Sequence, residues 1–222
     1  MSKKTLILVN TLTQVQNLSY ANHVEFMVKV QKLYPEDKFI FYTPARMSID
    51  NARRTAVEHA LANKADYILM LDDDVLVSSE GYKKLRDADK DVIAGITYVR
   101  AWPFAQMVFK YSGDNLVMTE LDVSLNTPVK VGAVGFSFCL IKTSVFESMT
   151  KPYFASVENV TEDVFFCLKI AQERPKTEIF AHPGVHTSHI LSPEVVHPTN
   201  VARLRKFYAA GRKLPKSCKV QK

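Results

Sequence analysis

Short apolar runs alternate with amphipathic stretches over the first hundred residues. Leu6-Ile7-Leu8-Val9 reads as a buried strand over 5–10. Over 20–33, Val24, Met27, Val28 and Gln31 recur at helical spacing, Phe26, Val30 and Leu33 widen the apolar face, and Pro35 ends the helix. A short strand over 38–42 stops before Pro44. Asp50 then caps a helix to about residue 63, with Ala52, Ala56, Val57, Ala60 and Leu61 on one face. A third buried strand, 67–71, runs straight into Asp72-Asp73-Asp74, and a fourth covers 92–98.

After Arg100 the pattern changes. Segments 106–111 and 116–121 read as an antiparallel pair around Ser112-Gly113-Asp114-Asn115. The stretch 129–141 is apolar, with Gly132 and Gly135 inside it. A short helix follows over 143–149, Thr161 caps another over 162–174 stopped by Pro175, and 177–181 is a last strand. Strand and helix in alternation imply an α/β fold: a mostly parallel sheet flanked by helices, with a smaller antiparallel part. Ligands of such sheets bind beyond the carboxyl ends of the strands, where the three aspartates sit.

The chain has 222 residues, 47% of them apolar, which suits one well-buried domain. No run reaches the roughly 18 apolar residues of a membrane span. The apolar run after Lys3 and Lys4 is shorter than the about 7–15 residues of a signal peptide's core, so the expected location is cytoplasmic. Cys139, Cys167 and Cys218 lack paired spacing, which argues against a disulfide framework or a zinc site. The net charge of +6 is concentrated at the end: 201–222 holds eight Lys and Arg and no acid. Such a basic segment suits nucleic acid or an anionic membrane surface, or it is a solvated tail.

Three adjacent carboxylates raise one another's cost of ionisation. A hard divalent cation relieves that repulsion and can bridge carboxylates to a substrate diphosphate. An acidic turn after a strand is the alternative reading.

Several blocks resemble glycosyltransferase family 2 and its GT-A relatives, including compact viral and prokaryotic members. They are Asn51-Ala52-Arg53-Arg54-Thr55-Ala56-Val57, ADYILMLDDDV (65–75), DVIAGITYVRAWPFAQMVF (91–109), VGAVGFSFCLIKTSVFE (131–147), TEDVFFCLKI (161–170) and HPGVHTSHI (182–190). They run in the family's order. The resemblance implies a GT-A fold over 1–200, with a nucleotide-binding half to about 100 and an acceptor half beyond it. It implies Mn²⁺ or Mg²⁺ held by Asp72, Asp74 and His189, with Asp72 also on the donor ribose. Asn10, Thr11, Arg53, Asp73 and Arg100 fall on the donor side. Asp163 matches the catalytic base, and Glu162 the residue that binds acceptor hydroxyls.

The implied reaction moves a sugar from a UDP- or GDP-sugar to a glycan or other hydroxyl, with inversion. Arg54 stands where many relatives have Asn, and Phe41-Tyr42-Thr43-Pro44 lacks the acidic residue that often reads the base. Trp102 suits stacking on an acceptor sugar or anchoring a loop. Gly135 suits close approach of backbone to an acceptor or a bulge. Glu162 and Asp163 equally suit a helix N-terminus, where acidic residues offset the dipole. His186 and His189, with two residues between them in an extended stretch, would face opposite sides and not share a metal. Rival functions are the same chemistry on a modified DNA base, a carbohydrate-binding module of GT-A shape without activity, and a phosphatase or nucleotidyltransferase.

Overall fold

A computed structural model of the chain describes residues 2–11, 15–158, 160–191 and 194–209. The first half carries β1 (Lys4–Asn10), α1 (Asn17–Leu33), β2 (Lys38–Tyr42), α2 (Ile49–Ala62), β3 (Tyr67–Asp72), β4 (Val75–Leu76), α3 (Ser79–Asp87) and β5 (Val92–Ile96). Next come β6 (Val108–Ser112), β7 (Asn115–Met118), β8 (Val129–Val131), β9 (Ala133–Val134), β10 (Phe138–Lys142) and a single 3-10 turn, Thr143–Val145. The chain continues through α4 (Glu162–Glu173), β11 (Ile179–His186), β12 (Ser188–Leu191), β13 (Glu194–Val196) and α5 (Val201–Ala209).

Seven strands form the central sheet in the order β2-β1-β3-β10-β5-β11-β8. β1 runs parallel to β2 and β3, and β11 runs parallel to β5. β10 enters antiparallel between β3 and β5, and β8 is antiparallel to β11. The apolar stretch 129–141 is therefore three strands, β8, β9 and β10, and only the last fills the middle of the sheet. β6 pairs with β7 around the expected turn and with β9 on its other side.

Alternate residues of β1 and β3 serve two cores, as a sheet covered on both faces requires. Leu6, Leu8, Ile68 and Met70 pack with Ala56, Val57 and Ala60 of α2 and with Phe166 of α4. Ile7, Val9, Leu69 and Leu71 pack with Phe26 and Val30 of α1 and Tyr82 and Leu85 of α3. Cys139 and Cys167 are buried free thiols. Cys218 lies outside the described residues.

Two helices depart from the sequence reading. In α1 the buried residues are Ser19, His23, Phe26 and Val30, whereas Val24 and Val28 are 40% and 51% exposed. Two polar groups decide the rotation. The Ser19 hydroxyl donates to the Asp73 carbonyl at 2.5 Å, and His23 Nε2 lies 2.9 Å from the Val75 carbonyl. α3 carries few apolar residues and escaped notice, yet Ser78 caps it by accepting from the Gly81 N–H at 3.0 Å, and Tyr82 and Leu85 anchor it.

α2 starts after Ser48, with Asp50 already in its first turn. The helix expected over 143–149 is limited to the 3-10 turn, and β11 runs on to His186. The basic C-terminal segment begins as a docked helix: Val201 and Leu204 of α5 are buried in the core. Residues 210–222 of that segment lie outside the described residues. Among the described residues no helix is long and apolar enough to cross a membrane.

The rotation of α1 makes a direct prediction. Phe26→Ala should cost about 3–5 kcal/mol and Val24→Ala less than about 0.5 kcal/mol in urea unfolding. Equal costs would return α1 to the face read from sequence.

Candidate active site

The parallel register of β1 and β3 sets Asn10 beside Asp72 at the strand tips. Asp72 is held on three sides. Its N–H donates to the Ser137 carbonyl at 3.2 Å, and Ser137 Oγ donates to Oδ2 at 2.7 Å. Its Oδ1 accepts from Arg53 Nη2 at 3.1 Å.

Arg53 is 1% exposed. Its other terminal nitrogen, Nη1, lies 2.7 Å from Glu162 Oε1. That contact is an ion pair out of line for a hydrogen bond, and Nε has no hydrogen-bond partner either. The guanidinium carbon sits 5.4 Å from the centre of the Phe136 ring, within cation–π range. Burial works against the charge on Arg53, but Asp72, Glu162 and Asp163 outweigh it and raise its pKa. Burial raises the pKa of Glu162, with Arg53 pulling it down and Asp163 pushing it up. Arg53, expected to face the donor, is thus a buried strut between β3 and α4. The signal was in the sequence: Arg53, Ala56, Val57 and Ala60 share the buried stripe of α2, and a charge on such a stripe demands partners.

Asp74 lies on the other side of the tip. Its Oδ2 is 2.7 Å from Arg100 Nη1, and its Oδ1 is 3.3 Å from His189 Nε2. β12 brings His189 there by pairing with Val75 of β4. His189 Nδ1 lies 2.8 Å from the Tyr98 carbonyl. A carbonyl only accepts, so Nδ1 carries the proton, and in the neutral ring Nε2 presents its lone pair to a carboxylate. Two acceptors then face each other, an arrangement that a proton or a metal ion between them satisfies. Burial tends to raise the Asp74 pKa, but a His189 that carries a proton on Nε2 as well, together with Arg100, overcomes it and leaves it below the ordinary value. Between the two, Asp73 is pushed up, mainly by burial and also by its two neighbours, with Thr11 pulling the other way.

α4 delivers the last carboxylate. Thr161 stands at its N-cap but makes no side-chain cap bond. Its hydroxyl donates instead to Asp163 Oδ1, which also accepts the Val164 N–H at 2.7 Å. Asp163 Oδ2 looks toward Gly135, where a Cβ would stand 3.7 Å from it and 2.8 Å from Met107 Cβ. Close packing therefore requires glycine there.

The structure joins Asp72, Arg53, Glu162 and Asp163 in one chain of contacts, and Asp74, His189 and Arg100 in another. Trp102, 51% exposed, stands two residues beyond Arg100. His186 is set apart, its ring 6.1 Å from that of His197. The expected metal ligands are not gathered as one cluster: both Asp72 oxygens are engaged by Arg53 and Ser137. Among the described residues no three His, Cys, Asp or Glu side chains converge as they would around an ion. A cavity of about 580 Å³, lined in part by Lys3, Asp66, Tyr67 and Lys142, lies at the opposite end of the strands and holds none of these residues. Ser137 and the Tyr98 carbonyl were missed. Ser137 is a lone hydroxyl between two phenylalanines, which could have marked it.

No family model matches the chain, and no curated protein matches it. Among solved structures, A197 from STIV superposes with a TM-score of 0.59 at 18% identity, over 88% of this chain and 91% of that one. A UDP-glucose pyrophosphorylase complexed with UDP-glucose superposes with a TM-score of 0.51 at 9% identity, over 96% of this chain and 100% of that one. The fold is GT-A-like. In this GT-A-like frame the aspartates occupy the carboxyl tip of β3 and Asp163 the first turn of α4, facing the same end of the sheet.

Removing one partner of a buried ion pair leaves an uncompensated charge. Arg53→Ala should therefore lower the unfolding free energy by about 3–5 kcal/mol. Arg53→Lys, which keeps the charge but not the fork, should cost less. A urea titration in which Arg53→Ala matches the native chain would contradict the strut.

Proposed function

We propose that this chain is a metal-dependent glycosyltransferase that moves a sugar from a UDP- or GDP-sugar to an acceptor hydroxyl, with inversion. One observation carries the reading. Carboxylates from blocks far apart in sequence, 72–74 and 162–163, are tied by one buried arginine at the strand end where α/β sheets take their ligands. A nucleotide-sugar complex is known for a solved structure of similar fold.

The Asp74–His189 pair fits a divalent cation by its chemistry. It offers a carboxylate and an imidazole nitrogen whose ring is fixed by a carbonyl at its far nitrogen. Mn²⁺ or Mg²⁺ held there supplies Lewis-acid stabilisation to a departing diphosphate. Asp72, fixed by Arg53 and Ser137, orients the ribose. Asn10 and Thr11 flank the nucleobase, and Arg100, half exposed beside Asp74, adds a cation for phosphate oxygens.

Asp163 takes the acceptor proton. Oδ1 is committed to Thr161 and Val164, which sets the orientation of the carboxylate and leaves Oδ2 on the Gly135 side. As the acceptor oxygen attacks the anomeric carbon and the diphosphate leaves from the opposite face, the hydroxyl proton passes to Asp163. Glu162 is engaged by Arg53, so proton transfer falls to its neighbour. Trp102 offers a ring face to the acceptor sugar.

Thermal unfolding with a panel of nucleotide sugars and Mn²⁺ tests the reading, since a ligand at 100 times its Kd adds about 2.7 kcal/mol of stability. One UDP- or GDP-sugar should raise the melting temperature only when Mn²⁺ is present, and Asp74→Ala should abolish the rise. Asp163→Asn should keep that rise while slowing transfer by about 10²–10⁴-fold. A panel with no stabilising ligand, or pyrophosphate as the product, would falsify the assignment.

A further inference from the structure

Arg205 of α5 reaches away from its own helix to a loop beside the candidate site. Its Nε donates to the Pro103 carbonyl at 2.9 Å, and Nη2 donates to the Phe104 carbonyl at 3.0 Å. Both terminal nitrogens also grip the Glu120 carboxylate, Nη1 at 3.2 Å. Three chain segments are thus stitched by one guanidinium, whose rigid fork suits several simultaneous acceptors.

The carbonyls it satisfies belong to a turn that needs help. Phe104 has a φ of +53°, a left-handed conformation that is strained for a bulky side chain. Its ring is fully buried, and the Tyr208 ring of α5 meets it edge-on at 5.0 Å. α5 is itself anchored, since Leu204 is fully buried. The other end of the loop meets the aspartate tip, where Arg100 lies 2.7 Å from Asp74. Trp102 sits between these two fixed ends, half exposed.

We propose that Arg205 is a positioning residue: it latches the loop that carries Arg100 and Trp102 beside the aspartate tip, coupling the C-terminal basic helix to the site. The latch itself stands on geometry alone. Its consequence for acceptor binding rests on the glycosyltransferase reading. A partly exposed Arg–Glu pair contributes little to global stability, so the loss of Arg205 should loosen the loop without unfolding the protein.

Trp102 is the single tryptophan of the chain, so its emission reports this loop and nothing else. In the full chain, Arg205→Ala should shift Trp102 emission to the red. It should also raise acrylamide quenching by up to about twofold, because half of the residue is already open and local release exposes the rest. Far-UV circular dichroism should stay unchanged. Arg205→Lys, which retains the charge and reaches fewer acceptors, should fall between, and it serves as the readout if the alanine variant does not fold. Where transfer is measurable, the KM values of acceptor and donor should both rise, since the released loop carries Trp102 and Arg100. Native emission and quenching in both variants overturn the latch whatever the enzyme assay shows. Altered emission with no transfer by the native chain keeps the latch and removes only its link to an acceptor.

Discussion

Taking a guanidinium out of water costs several kcal/mol unless its partners are already in place. Arg53 meets that condition on two sides at once, with Asp72 at the tip of β3 and Glu162 at the start of α4. The pairing constrains both elements. α4 cannot drift from the strand tips without stranding a buried charge, and Asp72 cannot turn outward without doing the same. Asp163, next to Glu162, inherits that placement. The separation of Asp72 from Asp163 is in this way fixed by one buried residue that bridges β3 and α4.

The three adjacent aspartates escape mutual repulsion by three routes. Asp72 is neutralised from beneath by Arg53 and braced by Ser137. Asp74 is neutralised from the loops by Arg100 and faced by His189. Asp73 has no cation of its own, and burial with its neighbours' charges holds its pKa up. β3 ends at Asp72, and Asp73 and Asp74 form the turn that follows it, so Asp74 leaves the strand's alternation and meets different partners from Asp72. Asp72 belongs to the rigid interior, whereas Asp74 faces two groups that a cation can replace or join. That division suits a site in which one carboxylate orients a ribose and the other holds a metal.

The parts legible in the sequence were those governed by local pattern. β2 lies where its apolar run predicts, β1 and β3 match within a residue, and α4 starts after Thr161 as its acidic first turn suggests. Long-range demands hid the rest. The face of α1 is right at Phe26 and Val30 but wrong at Val24 and Val28, because Ser19 and His23, polar by composition, are pulled inward by carbonyls of the β3–β4 turn. The antiparallel entry of β10 was invisible because a buried strand reads the same in either direction. The role of Arg53 was half legible: its position on an apolar stripe announced burial, but nothing local named Asp72 and Glu162 as its partners. His189 was expected near Asp74 from resemblance, while its carbonyl support from Tyr98 required the fold.

The antiparallel entry of β10 has a chemical consequence. A strand arriving in that direction brings the residues before it to the carboxyl tips of its parallel neighbours. Those residues are Gly135, Phe136 and Ser137, and each meets a different member of the site. Gly135 fits between Met107 and Asp163, Phe136 lays its ring under Arg53, and Ser137 donates to Asp72. Had β10 been parallel, these three residues would lie at the far end of the sheet, and the segment after the strand would reach the tips instead. One short approach segment therefore lines Asp163, Arg53 and Asp72 together. Its small, aromatic, small pattern follows from what each position has to fit.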